Sequence, residues 1–280
     1  MSYKTILLSL ADAESAERLI KAAAMVVSRF DAHLIGLHMM PALPGYAPAG
    51  LEIPMPISAA EVEAQYEQSK AIKEAFEKVV ESEGIKGEWR AQHCGAADLG
   101  QHITEHALCA DLVVMGQTNF DVNRTDQTRV QETVIKGAGC PVLVVPRVGD
   151  FKSIGTHALI GWSATRESSR AAHDAMPFLA KEGKATLIWV SDANYYSEHL
   201  ESTAHAMAQC IDRHGVEATV TRWQNSKIAV GDVLLNEAFE RGADMIVTGA
   251  YGHSKFYDFV IGATTSKLIE QMTLPILFSN

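Results

Sequence analysis

Ala110–Gly116 reads ADLVVMG, and Ala243–Gly249 reads ADMIVTG. Each opens on Ala-Asp, continues through an apolar run and stops at glycine, the pattern of a short strand buried on both faces. The recurrence extends outward from these two stretches. Upstream, Thr5–Ala11 (TILLSLA) resembles His157–Ser163 (HALIGWS), and a long Ala/Glu/Arg-rich segment follows each. Downstream, Gly139–Pro146 (GCPVLVVP) resembles Thr273–Ser279 (TLPILFS). The chain therefore reads as two copies of one unit. They are expected at residues 1–148 and 155–280, joined near Arg147–Thr156, RVGDFKSIGT.

Within each copy, apolar runs alternate with helical patterns. The first copy has strand candidates at Lys4–Leu10, Ala32–Met39, Gly87–His93, Asp111–Gly116 and Val142–Pro146. The second has them at His157–Gly161, Lys184–Val190, Glu217–Trp223, Asp244–Thr248 and Ile276–Ser279. Amphipathic stretches lie between, such as Ala13–Phe30, where Leu19, Ile20, Ala23, Val26 and Val27 recur at helical spacing. Strands apolar throughout and separated by helices predict an α/β fold: two tandem doubly wound, Rossmann-like units, each a parallel sheet covered on both faces. Ligands of such sheets bind beyond the carboxyl ends of the strands.

Composition narrows the function. The chain has 280 residues and 47% hydrophobic content, enough for two cores. Its net charge of −10 and lack of a basic cluster argue against nucleic acid or an anionic membrane as partner. The N-terminus enters a strand at once, and no apolar stretch approaches a membrane span, so a soluble cytoplasmic protein is expected. Cys94, Cys109, Cys140 and Cys210 form no CxxC pair and are expected as reduced, buried thiols. Pro41–Pro56, with five prolines after the second strand, excludes regular structure there and reads as a flap.

The copies differ most after the repeated strand. Gly249–Thr265 reads GAYGHSKFYDFVIGATT, with glycines at 249, 252 and 262. The first copy instead leaves Gly116 through QTNFDVNRT, with no glycine until Gly137. The glycines either turn the chain or bring backbone N–H groups against a phosphate at the start of a helix, where the dipole favours an anion.

The G-x2-G-x9-G spacing, with its flanking strands, resembles the nucleotide-binding signature of the universal stress protein family, over nearly the whole chain as a tandem member. The resemblance implies a five-stranded parallel sheet of order 3-2-1-4-5 in each unit. It also implies that ATP, with Mg2+, is bound by the second copy in a stress response. Gly249, Gly252, Gly262, Ala263, Thr264 and Thr265 would then hold phosphates and ribose. His253 and Lys255 in the same loop either reach a bound triphosphate or face solvent. Gly161, Ser163 and Val190 would line the adenine, and Thr248 would lie beneath base or ribose. Two positions depart from the family: Ala263 stands where Ser or Thr is usual, and Ser163 where Asp is frequent. The resemblance implies a nucleotide-dependent binding module with an unidentified protein partner, and an internal pseudo-dimer in which an apolar edge such as Val142–Val145 pairs the copies. A homodimer, vestigial sites in an interaction protein, and a slow ATPase are the alternatives.

Other motifs rank lower. His102–His106 (HITEH) fits a zinc pattern in form but lacks an evident third ligand. Ser163, Ser168, Ser169 and His173 include no nucleophile elbow, and serines at a helix start are expected to cap it. Trp189 is expected in the core, while Trp162, at the rim, is placed either in the core or as a wall of the base pocket.

Overall fold

All ten predicted strands form, each within a residue or two of its expected bounds, in a computed structural model that describes residues 2–41, 59–95, 98–118, 124–180, 183–191, 197–224, 228–250 and 263–280. The first copy runs β1 (Thr5–Ser9), α1 (Ala13–Phe30), β2 (His33–Pro41), α2 (Ala59–Glu83), β3 (Lys86–Cys94), α3 (Leu99–Ala107), β4 (Leu112–Gly116), α4 (Arg124–Gly137) and β5 (Val142–Val145). The second runs β6 (His157–Gly161), α5 (Arg166–Leu179), β7 (Lys184–Ser191), α6 (Glu198–Asp212), β8 (Glu217–Gln224), α7 (Val230–Glu240), β9 (Met245–Gly249), α8 (Ala263–Gln271) and β10 (Ile276–Ser279). The flap expected at Pro41–Pro56 lies outside the described residues apart from Pro41, which ends β2.

The strands join in one sheet of order β3-β2-β1-β4-β5-β10-β9-β6-β7-β8, so each half has the order 3-2-1-4-5. Pairing within each half is parallel. The halves meet through an antiparallel pairing, β5 with β10, with Leu277 opposite Leu143 and Phe278 opposite Val142. Four-residue strands with every residue buried make this seam part of the core.

Local signals explain where the helices start and stop. Asp12 caps α1 by accepting from the Ser15 amide at 2.8 Å, and Asp31 ends it in the left-handed region at φ 46°. Thr165 is the N-cap of α5, and of the serines expected to cap it only Ser168, at the third helical position, joins it in a reciprocal capping box. The aspartate shared by the two repeated stretches has a structural task. Asp111 accepts from the amides of Lys4 and Thr5 at 2.7 and 2.9 Å, and Asp244 accepts from those of Thr156 and His157 at 3.0 and 2.9 Å. Each thus ties the start of the central strand of its half.

Two apolar layers sandwich the sheet. One lies under α1, α2, α5 and α6, the other under α3, α4, α7 and α8. In the first layer Tyr3, Phe30 and Phe178 meet across the two halves, ring centroids 5.2 to 5.6 Å apart. Arg29 also donates to the Ile154 carbonyl at 3.0 Å and to that of Phe178. The joining segment is therefore bound to the core, with Ile154 buried.

Candidate functional site

The carboxyl ends of the second half form a shelf on the face covered by α7 and α8. A Cβ on Gly161 would lie 3.4 Å from Leu234 and 3.6 Å from the Thr248 hydroxyl, which sets the face to which Gly161 is open. Thr248 is the register partner of Gly161 on β9, and its hydroxyl donates to the Gly249 carbonyl at 3.1 Å. On the other side Gly161 pairs with Ile188, and two residues further along β7 the half-buried Val190 lies on the same face. Val190 pairs in turn with Trp223 of β8, and both pack against the same apolar layer.

Helix α8 begins at this rim. Its first turn holds Ala263, the half-buried Thr264 and the buried Thr265, with the positive dipole end of a helix start and amides that have no partner within the helix. The helix is fixed against α7 at Gly231, where a Cβ would lie 3.2 Å from Lys267 and 3.5 Å from the Thr264 carbonyl. Lys267 and Asp232 face each other at 3.9 Å. Of the residues expected to hold a nucleotide, Gly161, Val190, Thr248, Ala263, Thr264 and Thr265 thus share one rim. Gly252, His253, Lys255 and Gly262 lie outside the described residues.

Gly249 has a reason of its own to lack a side chain. A Cβ there would lie 2.6 to 2.8 Å from Glu167 and the Ser168 amide, so the first turn of α5 rests directly on it. Ser163 is exposed, with its hydroxyl 3.1 Å from that of Thr165. Between them Ala164 takes φ 54°, a left-handed conformation that costs a non-glycine residue of order 1 kcal/mol. This turn is one residue longer than its counterpart in the first half, where only Leu10, Ala11 and Asp12 separate β1 from α1.

The same positions of the first half are filled. Ser9 pairs with Met115 as Gly161 pairs with Thr248, and Met39 pairs with Gln92 as Val190 pairs with Trp223. Both methionines are buried, and they put longer side chains where the second half has Thr and Val. Aligned through β5 and β10, Gln131 of α4 corresponds to Thr265. It is buried, donates to the Gly116 carbonyl at 2.6 Å and accepts from Thr118. Helix α2 also reaches the rim, where Gln68 donates to the Ala11 carbonyl at 3.2 Å and Gln65 to that of Pro41 at 2.8 Å. Beneath it, His38 is buried with Nδ1 2.8 Å from the Leu10 carbonyl. Its imidazole is held below the usual range by burial, against the pull of that carbonyl.

The remaining candidates resolve as local structure. His102 pairs with Glu105 at 3.1 Å, and His106 lies 3.2 Å from Gln92. Among the described residues no group of three His, Cys, Asp or Glu is placed to hold a metal ion. His173 bonds the carbonyl one turn back, at Ser169. All four cysteines are free, but only Cys94 is buried; Cys109 is exposed beyond the end of α3, where the apolar pattern stops one residue short of it. Trp189 is in the core as expected. Trp162 also faces the α6 layer, donating to Thr203 at 3.1 Å, because strand alternation turns it away from the shelf that Gly161 faces. Trp223 is the ring on the shelf side, and period-two alternation along β8, with Ala218 and Val220 facing the other layer, was the signal for it.

No described helix is long and apolar enough to cross a membrane. No match was found among curated proteins by sequence. Among solved structures, a universal stress protein from Archaeoglobus fulgidus is similar over 99% of this chain and 96% of its own, with TM-score 0.70 and 17% identity. A functionally unknown protein from Pseudomonas aeruginosa PAO1 is similar over 99% and 92%, with TM-score 0.58 and 12% identity. A model described as the universal stress protein family matches residues 2–146 and again residues 159–279. Two matches that together span nearly all of the sequence mean that the chain is a tandem member of the universal stress protein family.

Proposed function

We propose that the chain is a nucleotide-dependent binding module that takes an adenine nucleotide, ATP with Mg2+, at the carboxyl rim of its second half, and serves a stress response through an unidentified protein partner. The observation that carries this reading is the asymmetry of two halves with one architecture. Gly161, Thr248 and Val190 put small side chains beside the start of α8, whereas Ser9, Met115, Met39 and Gln131 put larger ones at the counterpart positions. In this reading the base lies over Gly161 and Val190. The phosphates meet the first-turn amides of α8 with Thr264 and Thr265, where a helix start offsets negative charge. Mg2+ would be shared among the phosphates and neutralise part of their charge. Gly252, His253 and Gly262 belong to the same proposal through the sequence motif.

Denaturing the purified chain should release adenine nucleotide, and Mg-ATP added to nucleotide-free chain should raise its melting temperature by mass action. The absence of both release and shift would sink the reading.

A second reading, an interaction protein with vestigial sites, draws on Gly249, whose missing side chain is already explained by the approach of α5. Gly252→Val separates the two. A phosphate loop loses ATP binding and keeps its fold, whereas a pure turn loses stability alone.

A further inference from the structure

The second half carries an aromatic ring where the first carries an amide, and nothing in the nucleotide signature accounts for it. Trp223 is the register partner of Val190, is half-buried, and packs on the same face as Gly161 and Thr248. Its counterpart in the first half, Gln92, is exposed and bonded to His106 at 3.2 Å. Across the rim the order is therefore Thr248 on β9, Gly161 on β6, Val190 on β7 and Trp223 on β8. Adjacent strands are about 4.8 Å apart, so the four strands span about 14 Å, with an anion-favouring helix start at one end and an indole at the other. A ligand with a charged tail and a flat aromatic head matches both ends.

We propose that Trp223 is the outer wall of the base subsite of the second half, contacting the purine ring of the bound nucleotide and setting the preference for an aromatic base. The proposal rests on the nucleotide reading above and adds to it a residue outside the glycine motif. The half-buried indole offers area to a base at small entropic cost, because only two torsions need fixing.

The test compares the full chain with W223F and W223A, using Mg-ATP and inorganic tripolyphosphate as probes. Binding is followed by calorimetry and by intrinsic fluorescence, and folding is checked by circular dichroism. ATP is expected to change the fluorescence of the wild-type chain. W223F should lose that change while keeping ATP affinity within about threefold, since a phenyl ring still stacks. W223A should weaken ATP about tenfold or more and leave tripolyphosphate unaffected. Equal ATP affinity in W223A and wild type, or a fluorescence change that survives in W223F, overturns the wall and leaves the nucleotide reading standing. A wild-type chain that binds no ATP overturns the nucleotide reading itself. Should W223A fail to fold, the W223F fluorescence comparison decides alone.

Discussion

The side-chain amide of Gln131 donates to the backbone carbonyl of Gly116 at 2.6 Å, and its oxygen accepts from Thr118, so helix α4 is tied to the end of the strand it follows. All three partners belong to the rim that corresponds to the shelf of the second half. Truncation in Gln131→Ala leaves a carbonyl and a hydroxyl without their partner in a buried setting. The expected loss is about 1–3 kcal/mol, read as a lower urea midpoint at unchanged slope. No nucleotide binding should appear in the first half, because Met39 and Met115 still fill the row. An unchanged midpoint would refute the account of Gln131 as an internal tie.

Gly249 and Gly116 end equivalent strands in very different surroundings. A Cβ at 249 meets backbone of Glu167 and Ser168 at 2.6–2.7 Å, while one at 116 meets only the end of Leu19, at 3.5 Å. Gly249→Ala must push the first turn of α5 away from the sheet and should cost about 1–3 kcal/mol. Gly116→Ala should stay within about 0.5 kcal/mol of wild type, since ordinary van der Waals contact needs no shift. Equal urea midpoints for the two variants would show that the close approach of α5 is not what requires glycine.

Asp244 gives the fold a titratable anchor. Burial works against its charge, but the hydroxyls of Ser153 and Thr156 and the amides of His157 and Thr156 outweigh that and hold the carboxyl below its ordinary value of 3.8. A depressed folded-state pKa means that the unfolded chain takes up the proton first as pH falls. The contribution is thus present above about pH 4 and is lost as pH drops below that, through the folded value. Asp244→Asn should cost about 1.5–3 kcal/mol near pH 7 and progressively less below pH 4. Urea midpoints measured between pH 7 and 2 check this; a difference from wild type that stays constant with pH would contradict it.

The fold was open to reading because its signal is redundant. Five apolar runs recur in the same order in each copy, and any one misread would be corrected by its counterpart. The seam was open for a related reason: Val142–Val145 is apolar on both faces, and an edge strand of that kind needs a partner. The candidate site was legible only where a local motif marks it. Glycine spacing points to the rim after β9, but it cannot show that α5 presses on Gly249, or that Met39 and Met115 close the first half. Those facts depend on contacts between residues far apart in sequence. Trp162 was assigned to either face because one residue decides which way a strand side chain points at its end. The exposure of Cys109 follows from the helix stopping before it, a boundary that pattern alone places only within a residue or two.

Phe178 joins the halves at a second place besides the strand seam. Its ring lies 5.2 Å from that of Phe30 and 5.6 Å from that of Tyr3, its carbonyl accepts from Arg29, and a Cβ on Gly155 would lie 2.7 Å from it. Tyr3 in turn donates its hydroxyl to the Asp174 carbonyl on α5. The ring is fully buried, so Phe178→Ala removes a large volume from a site lined by both copies and by the segment between them. The expected loss is about 3–5 kcal/mol. Because the cavity borders α1 as well as α5, the central strands β1 and β6 should lose hydrogen-exchange protection together, with a single unfolding transition shifted to lower denaturant. If β6 amides alone became labile while β1 kept its protection, the two halves would be independent folding units, and the aromatic cluster would be a contact without energetic coupling.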